Sequence, residues 1–204
     1  MSIKKTIIFD FDGTIADTLE LGLDIYNKEI VPKFRVRKIK REQLSELRNT
    51  KPNKKILKEY NISYLKFLLM VFYIKSKLGQ RIDEAEPQQG IIEVIKNLAE
   101  KGYELGILSS NSKKNIEYFL KKYKIRDCFS FVLCSRNVFG KHKTMNKISK
   151  DFIYIGDEVR DIEAAKKAGI ESVAVAWGFN KREVLEKQNP DHLIEKPKQL
   201  LALL

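Results

Sequence analysis

The sequence predicts a doubly wound, Rossmann-like α/β fold: a parallel sheet core with an α-helical segment inserted after its first strand. Three observations carry this reading. From residue 88 onward, short β-prone runs alternate with amphipathic helical stretches, the pattern of a parallel sheet with helices on both faces. Between residues 17 and 87 that alternation is missing, and helical spacing dominates. The chain opens on a four-residue apolar run, Thr6-Ile7-Ile8-Phe9, stopped by Asp10, Asp12 and Gly13, which reads as a buried strand. The expected organisation is a core of residues 1–16 and 88–204, with the helical segment at 17–87.

Length and composition fit that organisation. A chain of 204 residues with 43% apolar residues suits one core domain carrying an insert. No apolar run approaches the roughly 20 residues a bilayer requires. Met1-Ser2-Ile3-Lys4-Lys5 leads straight into a strand without a leader pattern, so the expected compartment is the cytoplasm. The net charge of +12 is read as lysine decorating helix surfaces rather than as a nucleic-acid footprint, because no nucleic-acid-binding motif accompanies it. Such a surface also steers phosphorylated substrates. Cys128 and Cys134 flank a predicted strand and read as small core residues rather than a disulfide or metal pair.

In chain order, Ile15 to Lys33 has helical spacing, with Asp17 and Thr18 as candidate N-caps and Pro32 as the point where the helix ends or bends. Arg41 to Asn49 and Lys54 to Tyr60 read as helices. Ser63 caps the run Tyr64 to Ile74, which is too long for a strand and reads as a buried helix; packing of Phe67 to Ile74 against another subunit is the alternative. Arg81 to Gln89 is a polar return linker. Ile91 to Lys101 is an amphipathic helix closed by Gly102. Strands follow at Tyr103–Leu108, Phe129–Cys134, Phe152–Ile155 and Ser172–Ala176. The connecting helices fall near Lys113–Lys124, within Val138–Ser149, and at Glu158–Ala168 before Gly169.

Ligands of open α/β sheets sit at the carboxyl ends of the strands, which is where Asp10 and Asp12 fall. An Asp-Gly pair is also a plain turn signal. Two acids this close repel, however, and a hard divalent ion such as Mg²⁺ relieves the repulsion. One of the pair could serve as a nucleophile and the other as general acid/base. Asp157 ends the Phe152–Ile155 strand as Asp10 ends the first, and Asp161 follows four residues later. Acids at a helix start are also favoured by the macrodipole, the class to which Glu158 is assigned. Ser109 ends another strand; it is either a turn residue or a hydroxyl gripping an anion, with Ser112 the better helix cap. Lys141, a loop residue by pattern, would ordinarily be solvated.

Asp10-Phe11-Asp12-Gly13-Thr14 resembles the opening motif of haloacid-dehalogenase-like hydrolases, most of which are Mg²⁺-dependent phosphatases passing through an aspartyl-phosphate. Ser109, with Ser110 as the alternative, resembles the second motif. Lys141, with Lys143 as runner-up, resembles the third. Gly156-Asp157-Glu158-Val159-Arg160-Asp161 resembles the fourth. Ala176-Trp177-Gly178-Phe179 and Pro190-Asp191-His192-Leu193-Ile194 are similar to the closing segment of phosphoglycolate-phosphatase-like members.

The resemblance implies a set of roles. Asp10 is the nucleophile, Asp12 the general acid/base, and Lys141 balances charge. Thr14, Ser109, Ser110 and Lys141 hold the substrate phosphate. Asp10, Asp157 and the backbone of Asp12 hold Mg²⁺, with Asp161 in support. Residues 17–87 are a helical cap domain that selects a small phosphorylated metabolite. An acid at Asp12 argues against carbon–halogen hydrolysis. A sugar-phosphate mutase, and a non-catalytic nucleic-acid- or protein-binding module on the same fold, are the rival readings. The insert's Lys33, Arg35, Arg37, Lys38, Arg41, Arg48, Lys51, Lys54 and Lys55 fit either an anionic substrate or a solvated face.

Overall fold

A computed structural model describes residues 5–41, 43, 57, 62–135, 140–148 and 151–204. Its centre is a six-stranded sheet of parallel strands. The strands are β1 (Thr6–Phe9), β4 (Leu105–Ser109), β5 (Phe131–Cys134), β6 (Phe152–Gly156), β7 (Glu171–Val175) and β8 (His192–Ile194), in the spatial order β5-β4-β1-β6-β7-β8. The chain therefore winds outward from β1 in one direction and then returns to β6 on its other side. β1 and β6 form the switch point of a doubly wound sheet, where the crevice opens. Thr6 pairs with Phe152 and Phe9 with Ile155, so Asp10 and Asp157 leave the sheet side by side.

Alternation along the strands splits the core between two faces. Ile7, Phe9, Leu105, Ile107, Ile153 and Ile155 pack with α4 (Ile91–Glu100) and α5 (Lys113–Lys122). Ile8, Leu108, Phe152 and Tyr154 pack with α6 (Lys141–Met145) and α7 (Val159–Ala168). In α4 the buried residues are Ile91, Val94, Ile95 and Leu98, the spacing of one helical stripe. Ser112 caps α5 by accepting from Asn115 N at 3.2 Å, as the sequence predicts, and Gly169 ends α7 in the left-handed conformation. The C-terminal strand β8 and the short helices α8 (Arg182–Glu186) and α9 (Leu200–Leu203) extend the fold beyond the five predicted strands. β8 is short and only partly buried, so its apolar signal is weak.

The inserted segment differs from expectation in four ways. Residues 15–18 are not helical: Ala16–Asp17 form β2, paired antiparallel with β3 (Glu86–Pro87) inside the predicted polar linker. This two-residue ribbon ties both ends of the insert together. The helix then runs as α1 (Leu19–Ile25), widens into a π-helical turn at Tyr26–Ile30, and continues as α2 (Val31–Phe34). Pro32 sits in the first turn of α2, where its missing N–H is tolerated, so the helix ends only at Arg35. The predicted helices at 41–49 and 54–60 lie outside the described residues apart from Arg41, Gln43 and Leu57, which are helical.

Ser63 does cap the apolar run, accepting from Lys66 N at 3.2 Å, and α3 spans Tyr64–Gln80. Its predicted burial is wrong for one face. Met70 is buried and packs with Tyr26, Ile30 and Ile39, but Tyr64, Leu65, Leu68, Leu69 and Phe72 are exposed. Length and apolarity identified a helix; they do not say whether its second face has a neighbour. Both cysteines are free, and Cys134, at the end of edge strand β5, is exposed rather than part of the core. No helix among the described residues is long and apolar enough to cross a membrane.

Candidate active site

The site lies at the carboxyl ends of β1 and β6. Asp10, Asp157 and Asp161 are all buried, and one carboxylate oxygen from each lies within 4.8 Å of the other two. Asp10 accepts from its neighbour Phe11 N at 2.8 Å through Oδ1 and meets Lys141 Nζ at 2.8 Å through Oδ2. Lys141 Nζ also meets Asp161 Oδ1 at 2.7 Å and donates to the Tyr154 hydroxyl at 2.9 Å. Tyr154 in turn donates to the Leu108 carbonyl, anchoring the lysine from beneath. Lys141 is thus a buried residue of α6, not the solvated loop residue that pattern alone suggests, whereas Lys143 is exposed.

Asp157 is held in a tight slot. Its Oδ1 accepts from the Thr14 hydroxyl at 3.0 Å and its Oδ2 from Phe179 N at 2.7 Å. Backbone closes in from two sides: a Cβ on Gly13 would lie 2.2 Å from Asp157 Oδ2, and one on Gly178 would lie 2.3 Å from it. Gly13 also has φ of +81°, a conformation side chains disfavour. The Thr14 hydroxyl, expected at the substrate phosphate, donates here to Asp157 and orients that carboxylate. Ser109 is buried at the end of β4, its hydroxyl oxygen accepting from Asn111 N at 3.1 Å, and Ser110 is half-buried one position further on.

Asp12 is separate from the three-acid group. Its carboxylate turns to Asn111, whose Nδ2 donates to both oxygens at 3.1 Å, and to Thr18, whose hydroxyl donates at 3.1 Å. The Asp12 side chain is not one of the three clustered acids, in keeping with a metal role expected of its backbone and not of its carboxylate. Asn111 and the paired glycines were not foreseen. Asn111 stands in the Ser-Ser-Asn-Ser run, where turn chemistry masks any other role.

Electrostatics favour a cation. Asp157 is pushed well above the ordinary carboxylate range by burial first and then by Glu158, Asp161 and Asp10. Burial, with Asp10 and Glu158 adding to it, raises Asp161 to about 6 against the pull of Lys141 and Arg160. Burial opposes the charge on Lys141, but Asp10 and Asp161 outweigh it and hold the ammonium above its usual range. Arg160, ion-paired with the buried Glu158, is held charged in the same way. With all four carboxylates (Asp10, Asp157, Glu158, Asp161) ionised against two cations (Lys141, Arg160), the cluster would carry an excess of two negative charges. An all-oxygen donor set with that excess fits a hard divalent ion.

The flanking segments fix the loop from Asp10 to Thr18. Gln88 Nε2 donates to Gly13 O at 3.1 Å, and Trp177 Nε1 donates to Thr14 O at 3.1 Å. The chain just after the insert and the closing segment therefore both bear on the acid-bearing turn.

Comparison with known proteins gives the same picture. A model of the haloacid dehalogenase-like hydrolase family matches residues 7–175. A phosphoglycolate phosphatase of Synechococcus elongatus is 33% identical, covering 97% of this chain and 95% of its own length. The pyrophosphatase PpaX of Listeria welshimeri is 29% identical over 98% of this chain and 95% of its own. Among solved structures, a haloacid dehalogenase-like hydrolase from Streptococcus pneumoniae superposes with a TM-score of 0.81 at 22% identity, covering 100% of this chain and 99% of that one, a likeness of fold. The family match runs from β1 to β7 and takes in Asp10, Ser109, Lys141, Asp157 and Asp161, so the chain belongs to the haloacid dehalogenase-like hydrolase family.

Proposed function

We propose that the protein is a Mg²⁺-dependent phosphatase that hydrolyses a small phosphomonoester through an aspartyl-phosphate on Asp10. The observation that carries this reading is the meeting of Asp10, Asp157 and Asp161 around Lys141 at the sheet's switch point. Asp10, Asp157 and the backbone of Asp12 would hold the ion, with Asp161 fixing Lys141 beside it. Bound there, Mg²⁺ supplies charge neutralisation for anions brought together.

Asp10 Oδ forms a bond to phosphorus as the bond from phosphorus to the leaving oxygen breaks. Asp12 gives its proton to that oxygen. The Asp12 carboxylate then takes a proton from water as the water oxygen bonds to phosphorus and Asp10 departs. Lys141 and the Ser109 hydroxyl, with Ser110 at the rim, stabilise the phosphoryl oxygens, which carry most of the transition-state charge. Residues 17–87 act as a cap hinged at the β2–β3 ribbon, and its closure would exclude water.

The 33% identity to a phosphoglycolate phosphatase supports 2-phosphoglycolate as the first substrate to test, and the PpaX relatives support pyrophosphate as the second. The experiment is phosphate release from a panel of phosphorylated metabolites containing both, with Mg²⁺ or EDTA. The reading expects Mg²⁺-dependent release that Asp10→Asn abolishes. No release across the panel, or release surviving in Asp10→Asn, would overturn it.

A further inference from the structure

We propose that Asn115, a residue of α5, is a positioning residue: it sets Asp12 through Asn111, and the inserted helix α3 bears on this relay at Gly79. The proposal rests on the assignment of Asp12 as the acid/base.

An asparagine amide can present either its N–H₂ or its oxygen to a neighbour. Only the N–H₂ suits a carboxylate. Asn111 Nδ2 faces both oxygens of Asp12 at 3.1 Å, so Asn111 Oδ1 must find donors on its other side. It finds two: Ser112 N at 2.7 Å and Asn115 Nδ2 at 2.9 Å. The backbone donor alone would leave the amide plane free to swing. The Asn115 donor, one helical turn further on, fixes the plane and with it the placement of the Asp12 carboxylate.

The far side of Asn115 is the insert. A Cβ on Gly79 would stand 3.0 Å from Asn115 Nδ2 and 3.4 Å from its Oδ1, so even one methyl group there would press on the relay. Gly79 lies in α3, where glycine weakens the helix, and the absence of a side chain preserves the Asn115 geometry. The end of α5 touches the insert again. Lys122 Nζ donates to Asp83 O at 2.7 Å, and the Tyr123 hydroxyl, just past the helix, donates to Ala85 O at 3.0 Å. α5 is thus bonded to the insert at its C-terminal end and lies close to Gly79 near its start, while its first turn holds the acid/base.

A misplaced Asp12 should matter only where the leaving oxygen needs a proton. The test compares kcat/KM, which reports steps through the first phosphoryl transfer, for 2-phosphoglycolate and for p-nitrophenyl phosphate, whose leaving group needs no proton. Asn115→Leu keeps much of the shape and removes the donor without adding a charge. It should lower kcat/KM for 2-phosphoglycolate about 10- to 100-fold and that for p-nitrophenyl phosphate by less than about threefold. Gly79→Ala should give the same selectivity at about 3- to 10-fold without a fall in melting temperature, since alanine favours the helix. Equal losses on both substrates, or no loss, would overturn the relay. If wild type turns over neither substrate, the choice of substrate is what fails, and the phosphatase reading falls only if nothing in the panel is hydrolysed. The relay is then judged from the Asn111 side-chain amide resonances in Asn115→Leu: a shift supports it, and no shift overturns it.

Discussion

Replacing Lys141 with Met tests how the site's charges are balanced. The Lys141 ammonium lies 2.8 Å from Asp10 and 2.7 Å from Asp161, and all three side chains are almost fully buried. Met keeps most of the stem's volume and removes the charge. Two buried carboxylates then lose their nearest cation, and breaking a buried pair from one side costs about 3–5 kcal/mol. The pH dependence follows from the raised carboxyls. Asp157 and Asp161 bind protons more tightly folded than unfolded, so the stability they lend is present at low pH and lost as pH rises, for Asp161 between about 4 and 6. Without Lys141 that loss deepens. Urea unfolding in EDTA should therefore show a deficit of about 3–5 kcal/mol at about pH 7.5 and a smaller one at about pH 5. A deficit below about 1 kcal/mol at the higher pH, or one that grows on acidification, would refute the reasoning.

Three further expectations follow from the same geometry. In wild type without metal, the melting temperature should fall as pH rises from about 5 to about 8, and Mg²⁺ should flatten the slope by neutralising the acids; a slope indifferent to Mg²⁺ would count against the cation site. Gly13→Ala, with φ of +81° and a Cβ 2.2 Å from Asp157 Oδ2, should destabilise by about 1–3 kcal/mol and weaken Mg²⁺ binding about 10- to 100-fold, measured by calorimetric titration. Phe72→Ser, at a side chain 75% exposed, should change stability by less than about 0.5 kcal/mol in urea titrations; a loss above about 2 kcal/mol would mean that the outer face of α3 is covered.

The sheet and its acids were legible because each rests on local signals. Apolar runs cut off by Asp and Gly marked β1 and β6, and their parallel pairing brings Asp10 and Asp157 together. What escaped depends on contacts between distant segments. Nothing local to Thr14 signals that its hydroxyl meets Asp157, 143 residues away. Asn111 reads as a turn residue until Asp12 is placed beside it. The β2–β3 ribbon joins two-residue strands some 70 positions apart, too short for any periodicity to register. The exposed face of α3 has the same cause: apolarity specifies that a face should be covered, and only the tertiary structure says whether it is.

The most direct test of the account is to quench turnover in acid with Mg²⁺ and phosphorylated substrate present, and to map the modified peptide by mass spectrometry. The account predicts a phosphoryl group on Asp10, absent when Asp157→Asn or EDTA removes the cation. Phosphate release with no label on Asp10, or label on another residue, would contradict it.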